Sequence, residues 1–252
     1  MDVTEKFNGL ASVYEVGRPS YADAFIDDLF QKYGFSSESI IADIGAGTGK
    51  FSEQLLKKGI RVYCVEPNED MRRQSTQVLR KYANCSILAG NAADTVLSDD
   101  SVDFITAAQS FHWFDTKQFK KECRRIIRIG GKVFLIWNIA QSSDVMQKNH
   151  KINRKYCPDS KKDAFYKIKR DDIRIREFFD HSYERLEYDY PLCYSRDKFI
   201  NRNLSSSHSL KIGEKNFEEY RQTLEQLFEE YAENGILYVP NKTVVYMGVV
   251  KK

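Results

Sequence analysis

The sequence predicts an α/β fold in which helices cover both faces of a mostly parallel, doubly wound sheet. Short apolar runs with the length of buried strands alternate with stretches that have helical spacing. The clearest unit joins the apolar run at 40–44 to a helical pattern beginning at Phe51, through a turn with three glycines at alternate positions (Gly45, Gly47 and Gly49). In doubly wound sheets such a turn lies at the edge where ligands bind.

Composition narrows the classes of protein that the chain can represent. Its 252 residues suit one α/β domain with an elaboration, and a hydrophobic content of 42% is sufficient for a sizeable core. No apolar run approaches the roughly 20 residues that span a bilayer, and the first residues do not resemble a secretory signal. The five cysteines are widely spaced, which predicts reduced thiols, no metal site and a cytoplasmic location. The net charge of +3 is too small to indicate nucleic-acid binding.

The residues of the glycine turn separate several kinds of ligand. A P-loop is excluded because Ile44 occupies the position of its first glycine and Phe51 that of its Ser or Thr. A dinucleotide fingerprint is weakened, though not excluded, because the third glycine comes one residue early. Asp43 at the end of the strand would repel a pyrophosphate and attract an ammonium or sulfonium group. The turn itself predicts free N–H groups below a polar or anionic ligand group.

Residues 43–49, DIGAGTG, resemble motif I of the class I S-adenosylmethionine-dependent methyltransferases. The resemblance implies that S-adenosylmethionine is the cofactor. It also implies contacts from residues of this turn, namely Asp43, Gly45, Ala46, Gly47 and Gly49.

A second predicted strand, residues 61–66, ends in Glu66. This acid follows the first glycine by about twenty residues, the spacing at which a carboxylate accepts hydrogen bonds from ribose hydroxyls. An NAD enzyme would use the same acid, so Glu66 alone does not separate the two cofactors. The sequence from Glu66 through Pro67 resembles the next motif of the methyltransferase family, and Met71 begins the apolar face of the helix that follows. The resemblance implies that Glu66, Pro67 and Met71 contact the cofactor.

Two further predicted strands, residues 85–90 and 102–108, flank a segment of small residues. The family resemblance continues here, and it implies that Asn91, Ala92 and Ala93 lie against the adenine ring. The turn at 98–101 and the sequence SVD at its end resemble motif II of the same family.

The loop after the fourth strand reads QSFHWFD at 109–115. It resembles the type 11, trans-aconitate methyltransferase-like subgroup, which implies that Gln109 and Ser110 border the reacting methyl group. His112 is a candidate general base, because its ordinary pKa near 6.5 suits proton removal at neutral pH. The alternative is that His112 and Trp113 brace the loop. Trp113 is counted with Ser110 and His112 among the residues facing the substrate.

The N-terminal segment resembles the part of small-molecule methyltransferases that folds over the methionine end of the cofactor. The resemblance places Tyr14 and Arg18 near the cofactor carboxylate, which Arg binds well. Ser20 is the predicted cap of the helix that follows.

The remaining elements complete a predicted single domain over 1–252, with a cap at 1–34 and a cofactor-binding core at 35–140. A helix ending at Gly130 and Gly131 leads into a fifth strand at 132–138. Residues 141–212 form a helical lid inserted between strands five and six. Residues 213–252 supply a helix at 217–232 and an antiparallel last strand at 243–250. By resemblance the whole is a Rossmann-like, seven-stranded sheet.

The predicted function is methyl transfer to a small molecule, with a carboxylate as the favoured acceptor because it needs no base. The basic segment 148–176 and Arg18 could hold such an acid. An RNA methyltransferase using that basic segment and a cofactor-binding module without activity remain alternatives, and a nicotinamide oxidoreductase is more distant. The expected partners are a small-molecule acceptor and neither membrane nor nucleic acid, in a monomer or homodimer.

Overall fold

A computed structural model of the chain describes residues 19–158, 172–204 and 209–251. The strands within these ranges are β1 (Ile40–Ile44), β2 (Arg61–Val65), β3 (Cys85–Leu88), β4 (Val102–Ala108), β5 (Ile127–Ala140), β6 (Glu184–Asp189), β7 (Leu192–Tyr194), β8 (Leu237–Val239) and β9 (Asn241–Gly248). The helices there are α1 (Asp23–Gln31), α2 (Lys50–Leu56), α3 (Glu69–Leu79), α4 (Thr116–Ile126), α5 (Asp144–Tyr156), α6 (Ile173–Phe178), α7 (Arg196–Leu204) and α8 (Phe217–Tyr231).

The main sheet has the order β3-β2-β1-β4-β5-β9-β6. Strands β1 to β5 pair in parallel with their neighbours, and the last strand of the chain enters antiparallel. The predicted Rossmann-like, seven-stranded sheet is thereby confirmed. The order reverses between β1 and β4, so the carboxyl ends of β1, β2 and β4 face one crevice, the position where such sheets bind ligands.

Burial on both faces explains why the central strands read as continuous apolar runs. Ile41 and Ile44 of β1 are fully buried, and the inner face of α2 adds Phe51 and Leu55. The aromatic ring of Phe35 stacks on that of Phe104 in β4, with 4.0 Å between their centroids. The buried side chains of β1 and α2 place the glycine turn between two well-packed elements.

The described chain divides into two compact units. The first comprises residues 19–138, 172–188 and 243–251, and includes the helices and strands around the glycine turn. The second comprises 139–158, 189–204 and 209–242, and has an apolar core of its own in which Tyr220, Leu224 and Phe228 of α8 are buried. The division into cap, core and lid made from the sequence stays a prediction.

Two local expectations are corrected. The helix α4 ends at Ile126, and β5 begins at Ile127 instead of after the two glycines. A Cβ on Gly131 would lie 2.5 Å from the carbonyl oxygen of Asp103, so this glycine allows β5 to pass close to β4 and does not end the helix. The N-cap of α1 is Ala22, whose side chain makes no capping hydrogen bond, and Ser20 precedes it.

In the described part of the chain, no helix has the length and apolar character that a membrane span requires. Among the same residues, no three His, Cys, Asp or Glu side chains are grouped as a metal site would need.

Candidate active site

A cavity of about 610 Å³ lies beyond the carboxyl ends of β1 to β5, within the first unit. This volume is typical of small-molecule sites. Its floor is the glycine turn and the start of α2: Gly45, Ala46, Gly47, Thr48, Lys50 and Phe51. We call the side lined by residues after β2 and β3 the β2/β3 end: Glu66, Pro67, Met71, Asn91, Ala92 and Ala93. We call the opposite side the β4/β5 end: Pro19, Tyr21, Ala108, Gln109, Ser110, Trp113, Phe114, Asp115 and Asn138.

The three glycines of the turn serve different purposes. All have positive φ, the left-handed region that favours glycine. A Cβ on Gly45 would lie 2.6 Å from Cβ of Ser110, and one on Gly49 would lie 2.6 Å from Leu79. The Cβ position of Gly47 has no atom within 4 Å. Gly45 and Gly49 therefore permit close packing, while Gly47 leaves open space at the cavity. Gly49, the N-cap of α2, does not line the cavity among the described residues.

The backbone N–H groups of the turn are mostly occupied, contrary to the expectation that they are free. Those of Gly45 and Ala46 donate to the carbonyl oxygen of Val65, at 2.8 and 3.2 Å. That of Gly47 donates to Oε2 of Glu66 at 2.9 Å. Val65 and Glu66, at the end of β2, thus accept hydrogen bonds from the N–H groups that a bound phosphate would need.

Glu66 is buried at the β2/β3 end, where it lines the cavity. Its Oε1 accepts a hydrogen bond from the N–H of Asn68 at 2.9 Å, in addition to the one that Oε2 accepts from Gly47. Burial raises the pKa of this carboxyl, and the two backbone donors oppose the rise. A carboxylate oxygen can accept more than one hydrogen bond, so Glu66 retains lone pairs for a ligand hydroxyl.

Asp43 lies beneath the turn, 1% exposed, and does not line the cavity among the described residues. Its two oxygens accept hydrogen bonds from the hydroxyls of Ser52, at 2.6 Å, and Thr106, at 2.8 Å. Burial raises its pKa to about 6, although both hydroxyls favour the ionised form. This position does not bring Asp43 into contact with the cavity, so only its charge could reach a ligand there.

At the β4/β5 end, the loop after β4 is fixed to the glycine turn. The hydroxyl of Ser110 donates to the carbonyl oxygen of Ile44 at 2.7 Å, so its proton is already used. Gln109 has φ +57°, a left-handed conformation that is unusual for a residue with a side chain. Its amide nitrogen lies 3.3 Å from the carbonyl oxygen of Asn138. This strained residue lines the cavity, which is where strain often accompanies function.

A short N-terminal segment, residues 19–22, is fastened to the same end. The Tyr21 backbone exchanges two hydrogen bonds with the Gln54 side chain, each 2.9 Å long. The Asn138 amide donates to the carbonyl oxygen of Ser20 at 2.7 Å. Its other amide atom accepts a hydrogen bond from the hydroxyl of Thr243 at 2.8 Å. Side chains from α2, β5 and β9 thus hold Tyr21 against the cavity.

His112 occupies a short 3₁₀ turn, half-buried, with its ring 5.0 Å from that of Trp113. In the described chain Trp113 lines the cavity and His112 does not. The geometry therefore gives the general-base hypothesis no support, and it stays a prediction. Tyr14 and Arg18 lie outside the described residues.

Several lining residues were not predicted from the sequence: Pro19, Tyr21, Thr48, Lys50, Phe51, Ala108, Phe114, Asp115 and Asn138. Asp115 had been recognised only as the cap of α4, a role it does fill through the N–H groups of Lys117 and Gln118. Its position in the sequence, directly after the Trp113 loop, indicates that Asp115 lies near the cavity. Asn138, at the end of β5, carried a second indication of this kind, since polar residues at strand ends face the crevice.

A family model described as a methyltransferase domain matches residues 42–135. An uncharacterized methyltransferase of Mycobacterium tuberculosis is 36% identical over 138 residues, which are 54% of each protein. The chain therefore spans about half the length of this relative. An uncharacterized methyltransferase-like protein of Schizosaccharomyces pombe is 29% identical over 223 residues, or 85% of this chain and 82% of the relative.

Solved structures show the same fold at low sequence identity. A protein from Anaeromyxobacter dehalogenans described as a type II methyltransferase superposes with a TM-score of 0.63 and is 20% identical; the match covers 92% of this chain and 98% of that one. The YcgJ protein of Bacillus subtilis gives a TM-score of 0.55 at 16% identity, covering 90% of this chain and 99% of that one.

Proposed function

We propose that this chain, which belongs to the class I S-adenosylmethionine-dependent methyltransferases, transfers the cofactor's methyl group to a small-molecule carboxylate. The narrower assignment to the trans-aconitate methyltransferase-like subgroup stays a prediction, as do the cytoplasmic location and the oligomeric state.

The cavity suits a cofactor without phosphate. The N–H groups of Gly45, Ala46 and Gly47 already have acceptors, so the turn offers few donors to a pyrophosphate. The carboxylates of Asp43 and Glu66 beside the turn would repel phosphate and attract a cation. The open space at Gly47 leaves room for a ligand against the backbone. These features favour S-adenosylmethionine over a nicotinamide dinucleotide.

The chain's own residues would divide the cofactor between the two ends of the cavity. Glu66 would accept the ribose hydroxyls, and the small side chains of Ala92 and Ala93 leave space for the adenine ring. The glycine turn and Tyr21 would hold the methionine portion. When bound, the cofactor supplies an electrophilic methyl group on a sulfonium cation. The protein contributes orientation and the exclusion of water.

The acceptor is inferred from the state of the charged groups at the cavity. Both lining carboxylates already serve the fold: Glu66 accepts from two backbone N–H groups, and Asp115 caps α4, which keeps its pKa below the usual value. Among the described lining residues there is no histidine to remove a proton. Lys50, at the N-terminus of α2, brings positive charge to the floor. The lack of a base among these residues favours an acceptor that is already ionised at neutral pH, and Lys50 would offset the repulsion of such an acceptor by the two carboxylates.

The RNA alternative is not favoured by the described part of the basic segment. Lys148 pairs with Glu230. Lys155 pairs with Glu219 at 3.1 Å. Arg174 pairs with Asp172 at 2.6 Å. Three of the six cations in the described part of the segment are thus matched by carboxylates, which weakens their attraction for phosphate.

The experiment has two steps. Calorimetric titration with S-adenosylhomocysteine and NAD first tests the cofactor. The protein is then incubated with S-adenosylmethionine carrying a labelled methyl group and with pooled carboxylates, amines or phenols. We expect a labelled methyl ester, recognised by release of labelled methanol in mild base. The Lys50→Met variant should raise the acceptor KM without weakening cofactor binding. The control is Lys57→Met, at the exposed C-cap of the same helix, which should change neither.

Transfer to amines or phenols alone would overturn the carboxylate proposal and leave the methyltransferase intact. Binding of S-adenosylhomocysteine without transfer to any pool would favour the non-catalytic module. Binding of NAD alone would overturn the cofactor assignment.

A further inference from the structure

The loop after β3, residues 90–97, carries the adenine-facing side of the cavity but is held from outside it. Its first part is a tight turn: Oδ1 of Asn91 accepts hydrogen bonds from the N–H groups of Ala93, at 2.8 Å, and Asp94, at 3.1 Å. The N–H of Asn91 donates to the carbonyl oxygen of Asp94 at 2.8 Å. Asn91 and Ala93 are both exposed, so packing does not fix this turn.

The second part of the loop contains a strained residue. Val96 has φ +56°, a left-handed conformation that is strongly disfavoured for a β-branched side chain. Its side chain is 59% exposed, so packing does not compensate for the strain. Other contacts must therefore hold the backbone on either side of it.

Glu122 and Arg125 of α4 supply those contacts. Oε1 of Glu122 accepts hydrogen bonds from both the N–H, at 2.8 Å, and the hydroxyl, at 2.6 Å, of Thr95, which is completely buried. On the other side of Val96, Nη1 of Arg125 donates to the carbonyl oxygen of Leu97 at 2.7 Å.

The two clamping side chains also fix each other. Nε of Arg125 donates to Oε2 of Glu122 at 2.8 Å and Nη2 to Oε1 at 2.6 Å, a bidentate ion pair. Glu122 is buried, and burial alone would disfavour its charge. The hydrogen bonds from Arg125 and Thr95 outweigh that cost, and the pKa of Glu122 lies below its usual value. The carboxylate is therefore ionised when the loop is closed on it.

We propose that Glu122 and Arg125 are positioning residues for the cofactor: they hold residues 91–97 in the strained conformation that presents Asn91, Ala92 and Ala93 to adenine. The inference rests on the proposed function, since it takes the ligand of this end to be the adenosyl group. Neither side chain touches the cavity lining directly. Their effect is exerted through the fraction of molecules whose loop is ready to bind, and the apparent Kd varies inversely with that fraction.

The test compares Glu122→Gln with the unaltered protein, using adenosine and S-adenosylhomocysteine as separate calorimetric ligands. We expect Kd to rise about tenfold for both ligands, because both contain the adenosyl group that this loop is proposed to bind. Turnover at saturating cofactor should be nearly unchanged. Asp99→Asn is the matched control: Asp99 also binds Arg125, at 2.7 Å, but is 73% exposed and touches neither Thr95 nor Glu122 in the described structure. It should leave both affinities unaltered.

A rescue experiment separates positioning from general loss of structure. Val96→Gly removes the strain, so adding it to Glu122→Gln should recover most of the lost adenosine affinity. If Glu122→Gln does not fold, Thr95→Val removes one hydrogen bond of the clamp and should raise Kd about threefold. A folded Glu122→Gln variant with the adenosine affinity of the unaltered protein would overturn the proposal, and so would the absence of rescue.

Amide hydrogen exchange of residues 91–97 keeps the clamp testable if the cofactor assignment fails. Faster exchange in Glu122→Gln than in the unaltered protein, both without ligand, is the expected result. Unchanged exchange would refute the clamp. Failure of the unaltered protein to bind adenosine or S-adenosylhomocysteine would instead refute the proposed function.

Discussion

The two ends of the cavity are held by contacts of different range. At the β2/β3 end the contacts join residues that are at most a few tens of positions apart: Glu66 accepts from Asn68, two residues away, and from Gly47, 19 residues away, and Glu122 holds Thr95, 27 residues away. At the β4/β5 end the contacts cross the whole fold, as Asn138 does to Ser20, 118 residues away. The first end depends only on the part of the chain between the glycine turn and α4 for these contacts. The second end depends on the packing of β5, β9 and the N-terminal segment together.

This difference suits the two tasks assigned to the ends. A cofactor is the same in every member of a family, so a local motif can encode its adenosyl contacts. An acceptor differs among members, and a surface assembled from distant segments can vary without disturbing the adenosyl contacts. Adenosine, which lacks the methionine portion, distinguishes the two ends experimentally: a change at the β2/β3 end should alter its binding, and a change at the β4/β5 end should not.

The largest effect is expected from Glu66→Ala. It removes the acceptor for the ribose hydroxyls, and two charge-assisted hydrogen bonds correspond to about a thousandfold loss of affinity. Adenosine and S-adenosylhomocysteine should lose affinity equally in calorimetric titrations. Glu69→Gln, an exposed acid of the following helix paired with Arg73, is the control. A loss confined to S-adenosylhomocysteine would mean that Glu66 serves the other end.

The second effect concerns Asp43, which lies below both ends. Its pKa is raised from 3.8 to about 6 in the folded protein, so the folded state holds this proton more tightly than the unfolded state does. The free energy of unfolding should therefore fall as pH rises through this window, by about 3 kcal/mol at 1.36 kcal/mol per pKa unit. Asp43→Asn should lack this decline.

Urea unfolding of both proteins across the window measures that difference, and parallel pH curves would refute the raised pKa. The same variant sharpens the comparison of the two ends. S-adenosylhomocysteine carries an ammonium group and adenosine does not, so Asp43→Asn should weaken the first ligand and spare the second. Equal weakening of both ligands would show a general distortion of the turn.

The β2/β3 end was the more predictable one because its signals are local. The spacing from the glycine turn to Glu66 and the small residues at 91–93 are visible in a single reading of the chain. The sequence did not show which N–H groups of the turn already have acceptors: the N–H of Gly47 donates to Glu66 itself. Hydrogen-bond competition within a loop depends on exact distances, which spacing does not specify.

The β4/β5 end was predicted only in part. Gln109 and Ser110 were identified from the loop pattern, but the bond from Ser110 to Ile44 requires two strands to be in register. Tyr21 was missed as a lining residue because the side chain that holds it, Gln54, is remote in sequence. At the β2/β3 end, the strained backbone of Val96 could not be predicted either, because valine rarely adopts the left-handed conformation.

A smaller effect is expected at the fastening of the β4/β5 end. Gln54→Leu removes both hydrogen bonds to the Tyr21 backbone, and S-adenosylhomocysteine affinity should fall about tenfold. Adenosine affinity should remain unchanged in the same titration. Gln77→Leu, at an exposed position of α3, controls for the loss of a glutamine. An equal loss with adenosine would contradict the independence of the two ends.

The smallest effect is expected on the free energy of unfolding when the strained residue at each end is replaced by glycine. Val96 and Gln109 both have positive φ, and glycine at either position should raise the free energy of unfolding by about 0.5–1 kcal/mol, because relief of strain slightly exceeds the added chain entropy. Their functional consequences should differ. Gln109 lines the cavity, so Gln109→Gly should lower turnover, whereas Val96→Gly leaves the lining intact and should keep its affinity for S-adenosylhomocysteine. Thermal unfolding and methyl-transfer rates measured on both variants test this difference. A Gln109→Gly variant that is stabilised without loss of turnover would mean that the strain at Gln109 serves the loop and not the reaction.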